Sequence, residues 1–432
     1  MKKTVFLSFA TGLILLAPGI GQAQKSAGTI TVKEVERIEN VLASDSFMGR
    51  AAGTRGSEMA ASFIAAEFKK AGLQPVQGTS YLQEFVVVKP VLKEMKFKAD
   101  GADADVKNVI VFTSNAEVEV DEKSGYELAS IKAGESFGAK AMGFLQAKKN
   151  TIVVVDTSFS RSFPALNRLK RQQFRTEHNT VFLLGTALPK EFKIKADHSF
   201  EETKLANVVG ILPGKSRKAE QVIFSAHYDH LGIGKPVAGD SIYNGANDDA
   251  AGTTAVIMLA KHFKKLGNNE RTLVFAAFTA EETGMFGSQY FSRQFQPESV
   301  MAMFNIEMIG TESKWGKNSA YITGYEQTNM GEILQANLKG SAFQFHPDPY
   351  TQQQLFYRSD NATLARLGVP AHTISTAKME NEPHYHKPSD EVSTLDLQNM
   401  AEIIKAIAES SKTIVSGKDT PTRVKPEGIR AS

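Results

Sequence analysis

The sequence predicts an α/β protein: a mostly parallel, mixed central sheet with helices on both faces and a smaller domain inserted into it. Three observations predict this class. Apolar runs recur at 221–226, 272–278 and 301–306, and runs of that length without alternation belong to strands buried on both faces. Helix-like stretches separate them, among them Ala250 to Leu266. Each run also ends in an acid or histidine motif: His227-Tyr228-Asp229, Glu281-Glu282 and Asn305-Ile306-Glu307. Open α/β sheets place their ligands beyond the carboxyl ends of the strands, where these motifs fall.

At the start of the chain, Lys2-Lys3, the apolar stretch Val5 to Ala17 and the small-residue site Gly21-Gln22-Ala23 read as a secretory signal peptide over 1–23. Pro18 and Gly19 cut the apolar run short of the ~20 residues a membrane span needs. The expected location is therefore the periplasm or the exterior, with no membrane span. Within 24–90, Met59, Phe63, Ile64 and Phe68 recur at helical spacing over 57–71, stopped by Gly72 and Pro75. Residues 91–204 hold strand-like runs at 108–112, 151–155 and 180–184 and a basic, helix-like stretch at 163–174, and are expected to form the inserted domain. The motif-bearing domain spans 205–415 and closes on an amphipathic helix through Leu397, Met400, Ile403, Ile404 and Ile407. Residues 416–432, polar and carrying Pro421 and Pro426, are expected to be a disordered tail.

Composition narrows the partners. The 432 residues carry 50 basic and 47 acidic side chains, and no basic stripe interleaves with aromatics, so nucleic acid is not an expected partner. Zero cysteines exclude disulfides and thiolate metal ligands. Oligomeric state is not legible.

Two further motifs join the three at strand ends: Asn247-Asp248-Asp249 before the 250–266 helix, and His384-Tyr385-His386 in a proline-bearing loop. Taken singly, each is ordinary: a strand end, a solvated helix start, an N-cap, a surface turn. Together they supply what two metals sharing one bridging carboxylate require, five ligands of which two are His and three are carboxylates, a set that suits zinc. A separate carboxylate must stay free to take a proton from water, and adjacent Glu281 and Glu282 point in different directions, so one can ligate while the other faces the water. His227 and Asp229, two apart in extended chain, project from one face.

These stretches resemble the co-catalytic dizinc metallopeptidases, a family that includes bacterial leucyl aminopeptidases, glutamate carboxypeptidase and glutaminyl cyclase. The resemblance rests on SAHYDHLG (225–232), NGANDDAAGT (244–253), FTAEETGMFGS (278–288), NIEMIG (305–310) and HYHKPSDEV (384–392), with weaker echoes at 47–75, 206–214 and 358–371. It implies two zinc ions per chain. His227 and Glu307 would hold one, Glu282 and His386 the other, with Asp248 bridging. Glu281 would be the general base, Asp229 the partner of His227, and Tyr385 a hydroxyl steadying the oxyanion. It also implies a peptide substrate cut at its N-terminal bond, and it matches residues 91–204 to a place where some relatives carry a protease-associated domain. Two positions depart from the family: Glu307 stands where Asp is usual, and Asn361 where His often follows Ser-Asp. No catalytic role is assigned to Asn361. Rival readings are a carboxypeptidase, with Arg358 as a candidate carboxylate clamp, a glutaminyl cyclase, and a noncatalytic binding module. Trp315, Tyr350, Phe356 and Tyr357 are candidates for a specificity pocket, as aromatics on loops beyond the sheet.

Overall fold

The computed structural model describes residue 1 and residues 28–425. Apart from Met1, the expected signal peptide lies outside the described residues. The chain divides into two compact units, one of 1–51, 55–81 and 208–432, the other of 52–54 and 82–207.

The first unit is built on a mixed sheet. Its strands are β1 (Phe192–Leu212, of which 208–212 pair here), β2 (Arg217–His227), β3 (Arg271–Phe278), β4 (Val300–Ile306), β5 (Ser319–Ile322), β6 (Gln344–Pro347) and β7 (Ala371–Ser375). Their order is β6-β5-β7-β4-β2-β3-β1. The central four, β3, β2, β4 and β7, run parallel. β1 is antiparallel to β3, and β5 to β7.

Among the described residues, helices that flank this sheet or pack on those that do include α1 (Val32–Leu42), α2 (Arg55–Ala71), α3 (Ala251–Leu266), α4 (Phe286–Ser292), α5 (Asn361–Ala365) and α6 (Leu397–Ser410). Local chemistry marks their ends. The Thr31 hydroxyl accepts from the Glu34 amide at the start of α1, and the Asp396 carboxylate accepts from Asn399 at the start of α6. Gly267 (φ 57°) closes α3, its N–H reaching the Phe263 carbonyl at 2.8 Å.

Why the central strands lack alternation is plain from their two faces. On one face Phe224, Phe275 and Phe304 stand side by side in register, and Phe263 of α3 stacks on Phe224 with centroids 5.3 Å apart. α1, α2 and α6 pack around α3. On the other face Ile223, Val274, Ala276, Phe278 and Met303 are buried with Phe291 of α4 and Leu364 and Ala365 of α5. Both faces are covered, so both sets of positions are apolar.

Of the expected tail, 416–425 are described and 426–432 lie outside the described residues. Residues 417–425 are laid against this unit instead of lacking order. Fully buried Arg271 donates to the carbonyls of Ile414 and Asp419 at 2.8 Å. Val424 enters the core, its amide bonded to the Gly368 carbonyl. Polar composition concealed this because polar side chains, Thr420, Thr422 and Arg423, share the anchoring with main-chain carbonyls and one valine.

The second unit holds a four-stranded sheet in the order 109–112, 180–184, 151–155, 127–131, the first pair antiparallel and the rest parallel. One face packs Ile110, Val153 and Phe182 against Ala141 of helix Phe137–Gln146 and against Phe163 and Leu166. The other packs Val111, Ile152 and Val181 against Val118, Val120 and Ile194. The helix expected over 163–174 is only a 3-10 stretch, Phe163–Leu169, with Pro164 in its first turn. Among the described residues no helix is long and apolar enough to cross a membrane.

Candidate metal centre

Parallel pairing gathers the motifs. Ser225 lies opposite Asn305 and His227 opposite Phe278, so the ends of β2, β3 and β4 emerge side by side, about 4.8 Å apart. His227 ends β2, Glu307 follows β4, and Glu281-Glu282 follow β3. Left-handed backbone at Ala280 (φ 59°), Met308 (φ 52°) and His386 (φ 54°) turns the chain beside each ligand candidate, conformations of the kind that cluster at functional sites.

Asp248 arrives from the segment Ala246–Ala250 ahead of α3, entered through Gly245 at φ 55°. The Asp390 carboxylate accepts from the amides of Asn247 (2.9 Å) and Asp248 (3.0 Å). The Asp248–Asp249 peptide bond is cis. Asp249 turns to the protein, accepting from the amides of His227 (3.3 Å), Gly252 (3.0 Å) and Met308 (3.0 Å), and so ties three motifs together.

The two oxygens of Asp248 face opposite ways. Oδ1 lies 3.4 Å from His227 Nε2, and Oδ2 lies 3.3 Å from His386 Nε2. His386 Nε2 is in turn 3.2 Å from Glu282 Oε2. Two three-donor groups share Asp248: His227, Asp248 and Glu307, and His230, Asp248 and Glu282. His230, which follows the His227 motif directly and reads in the sequence as flanking a ligand and as a candidate partner of one, is buried, with Nδ1 2.8 Å from Glu282 Oε1. His384 stays outside, its Nδ1 3.0 Å from Ser389 Oγ.

Other expected roles divide. The main-chain carbonyl of Asp229 is 3.1 Å from His227 Nδ1, while its carboxylate stands 3.8 Å away and accepts from the Glu281 amide. Tyr385, 40% exposed, stacks on the His386 ring at 3.9 Å. Asn361 is buried, donating to the carbonyls of Phe356 and Ala371. Of the pocket candidates, Tyr350 and Phe356 are buried packing residues; Trp315 remains exposed and stacks on His346 at 4.0 Å.

Arg50 went unnoticed in the sequence. Fully buried, it donates to the carbonyls of Tyr228 (2.7 Å), Leu42 (2.6 Å), Asn244 (2.5 Å) and Gly245 (2.8 Å). It thereby grips the chain on both sides of the cluster, just after His227 and just before Asp248. Asp360, with both carboxylate oxygens buried and unbonded, also went unnoticed.

Electrostatics follow from so many acids in one place. Burial pushes the Glu281 carboxyl well above its usual range, and the charges of Glu307, Asp360 and Glu282 push it the same way against the pull of His227. Burial likewise carries Asp229 and Glu307 to about 7 and Asp360 to about 6. For Glu282 burial is outweighed by His230 and His386, which hold it at about 2. For Asp248 burial is outweighed by His227 and His386, which hold it below the usual carboxylate range. Burial opposes charge on His386, yet Asp248 and Glu282 raise it to about 10. The cluster is short of positive charge.

Zinc fits this donor set. At zinc–ligand bonds of about 2.0–2.2 Å, neighbouring corners of a tetrahedron are ~3.4 Å apart. The separations of Asp248 from His227 and from His386, and of His386 from Glu282, are 3.4, 3.3 and 3.2 Å. His227 Nε2, His386 Nε2 and Glu307 Oε2 are buried atoms without a hydrogen-bond partner, the state expected of ligands awaiting a cation.

Residues 207–411 match peptidase family M28. Curated relatives of the chain include a probable leucine aminopeptidase of Trichophyton verrucosum, 28% identical over 208 residues, 46% of this chain and 54% of that protein. Leucine aminopeptidase 1 of Emericella nidulans is 27% identical over 224 residues, 49% of this chain and 55% of that protein. The chain spans about half the length of these relatives. Among solved structures, an aminopeptidase from Aneurinibacillus sp. strain AM-1 has a TM-score of 0.54 at 16% identity, covering 94% of this chain and 98% of that one. A zinc aminopeptidase from Bacillus subtilis has a TM-score of 0.53 at 16% identity, covering 90% and 97%. Both likenesses show the fold.

Proposed function

We propose that this protein is an exported, zinc-dependent exopeptidase, an aminopeptidase that releases the N-terminal residue of a peptide. The observation that carries this reading is Asp248 itself, with Oδ1 3.4 Å from His227 Nε2 and Oδ2 3.3 Å from His386 Nε2. His227, Asp248 and Glu307 would hold one zinc ion, and Asp248, Glu282 and His386 a second. Bound there, zinc supplies Lewis-acid polarisation of a carbonyl and of water.

The remaining work belongs to the side chains. Glu281 lies outside both donor groups, and its raised carboxyl pKa suits a group that takes a proton from the attacking water and returns it to the leaving amine. Asp229, anchored by the Glu281 amide, keeps the His227 turn and the Glu281 turn together. Tyr385 projects beside His386, where its hydroxyl can donate to the developing oxyanion. The free α-amine of a peptide is a cation, and the surplus carboxylates here favour it. Export rests on the leader-like residues 1–23.

The test combines metal analysis with a substrate panel. Purified protein is expected to carry about two zinc ions per chain and to cleave aminoacyl substrates with free, not acetylated, N-termini. Full activity after exhaustive chelation, or release of C-terminal residues from N-acetylated peptides, would overturn the proposal.

A further inference from the structure

His230 stands in the three-donor group with Asp248 and Glu282 yet is assigned no ligand role above, and its surroundings are built for it. The side chain is 2% exposed. Its ring lies flat against Gly245, where an added Cβ would sit 2.5 Å from the imidazole Cγ and 2.6 Å from Cδ2. Arg50 holds the Gly245 carbonyl at 2.8 Å, so the wall of this slot is itself fixed. The ring edge meets Glu282: Nδ1 to Oε1 is 2.8 Å.

That distance separates two possible roles. Atoms on adjacent corners of a zinc tetrahedron stand ~3.4 Å apart, whereas an N–H to carboxylate hydrogen bond runs about 2.7–2.9 Å. His386 Nε2 to Glu282 Oε2, at 3.2 Å, is near the first value. His230 Nδ1 to Glu282 Oε1 has the second. The distance from His230 Nδ1 to Asp248 Oδ2, 3.9 Å, is longer than either. Glu282 therefore divides its oxygens, one toward His230 and one toward His386.

Resting on the zinc reading above, we infer that His230 is a positioning residue: its Nδ1–H holds Glu282 Oε1 so that Oε2 alone is presented to the metal. A carboxylate free to rotate about its terminal bond would offer either oxygen, or both, and would lose the preset spacing to His386 and Asp248. Hydrogen-bond partners of metal ligands are worth typically 10–100-fold in metal affinity.

The experiment compares His230→Asn with His230→Leu, side chains of nearly equal size that differ in keeping or removing a donor near the Nδ1 position. Zinc affinities are measured by competition with a chromophoric chelator, and the melting temperature of each metal-free protein checks folding. The leucine variant is expected to bind one of its two zinc ions about 10–100-fold more weakly than wild type, and the asparagine variant to recover most of that loss. Equal affinities in all three proteins would overturn the inference. Equal loss in both variants would overturn it as well, by making the imidazole itself the ligand. Wild-type protein that takes up no zinc would remove the functional reading first, and this inference with it.

Discussion

Glu281 and Glu282 are neighbours in sequence with opposite expected duties, which makes them the sharpest pair to alter. Glu281→Gln is expected to lose about 10²–10⁴ in turnover while retaining zinc, because a general base contributes that much and the side chain lies outside both donor groups. Turnover on an aminoacyl substrate and zinc content, measured on one preparation, check both halves. Glu307→Asp is expected to weaken the metal at His227: the backbone here places a longer carboxylate within the donor group, and shortening it withdraws the oxygen by more than an ångström. Zinc titration reads this directly. The acid and histidine motifs stand out in the sequence because most of them follow a strand or precede a helix, and the structure brings them to one place. Arg50 and Asp390 were not legible. Arg50 and Asp390 act on main-chain carbonyls and amides, whose positions exist only after the fold has brought residues 50, 245 and 390 together. His230 was legible as a neighbour of a ligand, and the slot beside Gly245 adds what holds its ring. Arg50→Met is expected to destabilise the protein by about 3–5 kcal/mol, since it removes the guanidinium's bonds to four main-chain carbonyls and leaves the cluster's acids without their buried cation; urea unfolding measures it.

At the scale of elements, the long apolar runs told the strand positions truthfully because both faces of the sheet are covered. The three phenylalanines in register across β4, β2 and β3 carry much of the α3 face. Phe224→Ala is expected to cost about 3–5 kcal/mol, because its ring contacts Phe263, Phe275 and Phe304 at centroid distances of 5.3, 5.6 and 4.9 Å. β7 contains a quieter constraint. His372 is buried, with Nδ1 2.8 Å from the Thr323 carbonyl and Nε2 2.8 Å from the Thr328 hydroxyl, and burial lowers its pKa to about 4. The folded pKa lies below the unfolded value of about 6.5, so the stability this residue contributes is complete above pH ~6.5 and is lost as pH falls toward 4. At ~1.4 kcal/mol per unit, His372→Gln should flatten the decline in unfolding free energy between pH 6.5 and 4 by up to about 3 kcal/mol. What the sequence misjudged at this scale was chain with no periodic pattern. The 163–174 stretch forms only a short 3-10 turn, and 417–425 docks through main-chain carbonyls, Thr420, Thr422, Arg423 and Val424.

For the whole molecule, the proposed metals and the fold are thermodynamically linked. Zinc at a thousand times its dissociation constant stabilises the folded state by about 4 kcal/mol, so chelation is expected to lower the melting temperature by several degrees, and added zinc to restore it. An unchanged melting curve would mean that the acid cluster holds no structural cation. The division of the chain into units, one in three pieces and the other almost continuous, also sets an order in time. Lys261 of α3 meets Glu34 of α1 across 227 residues and Glu67 of α2 across 194. Until α3 has been synthesised, Ile38, Leu42, Ile64 and Phe68 have no surface to cover them. The four strands at 109–112, 127–131, 151–155 and 180–184 find their partners within one contiguous stretch. Closing loops costs entropy that grows with their length, so the middle of the chain should mature before its beginning. During refolding, amides of 151–155 and 180–184 should resist deuterium exchange while those of α1 and α2 still exchange, leaving the first helices as the longest-lived target for a protease.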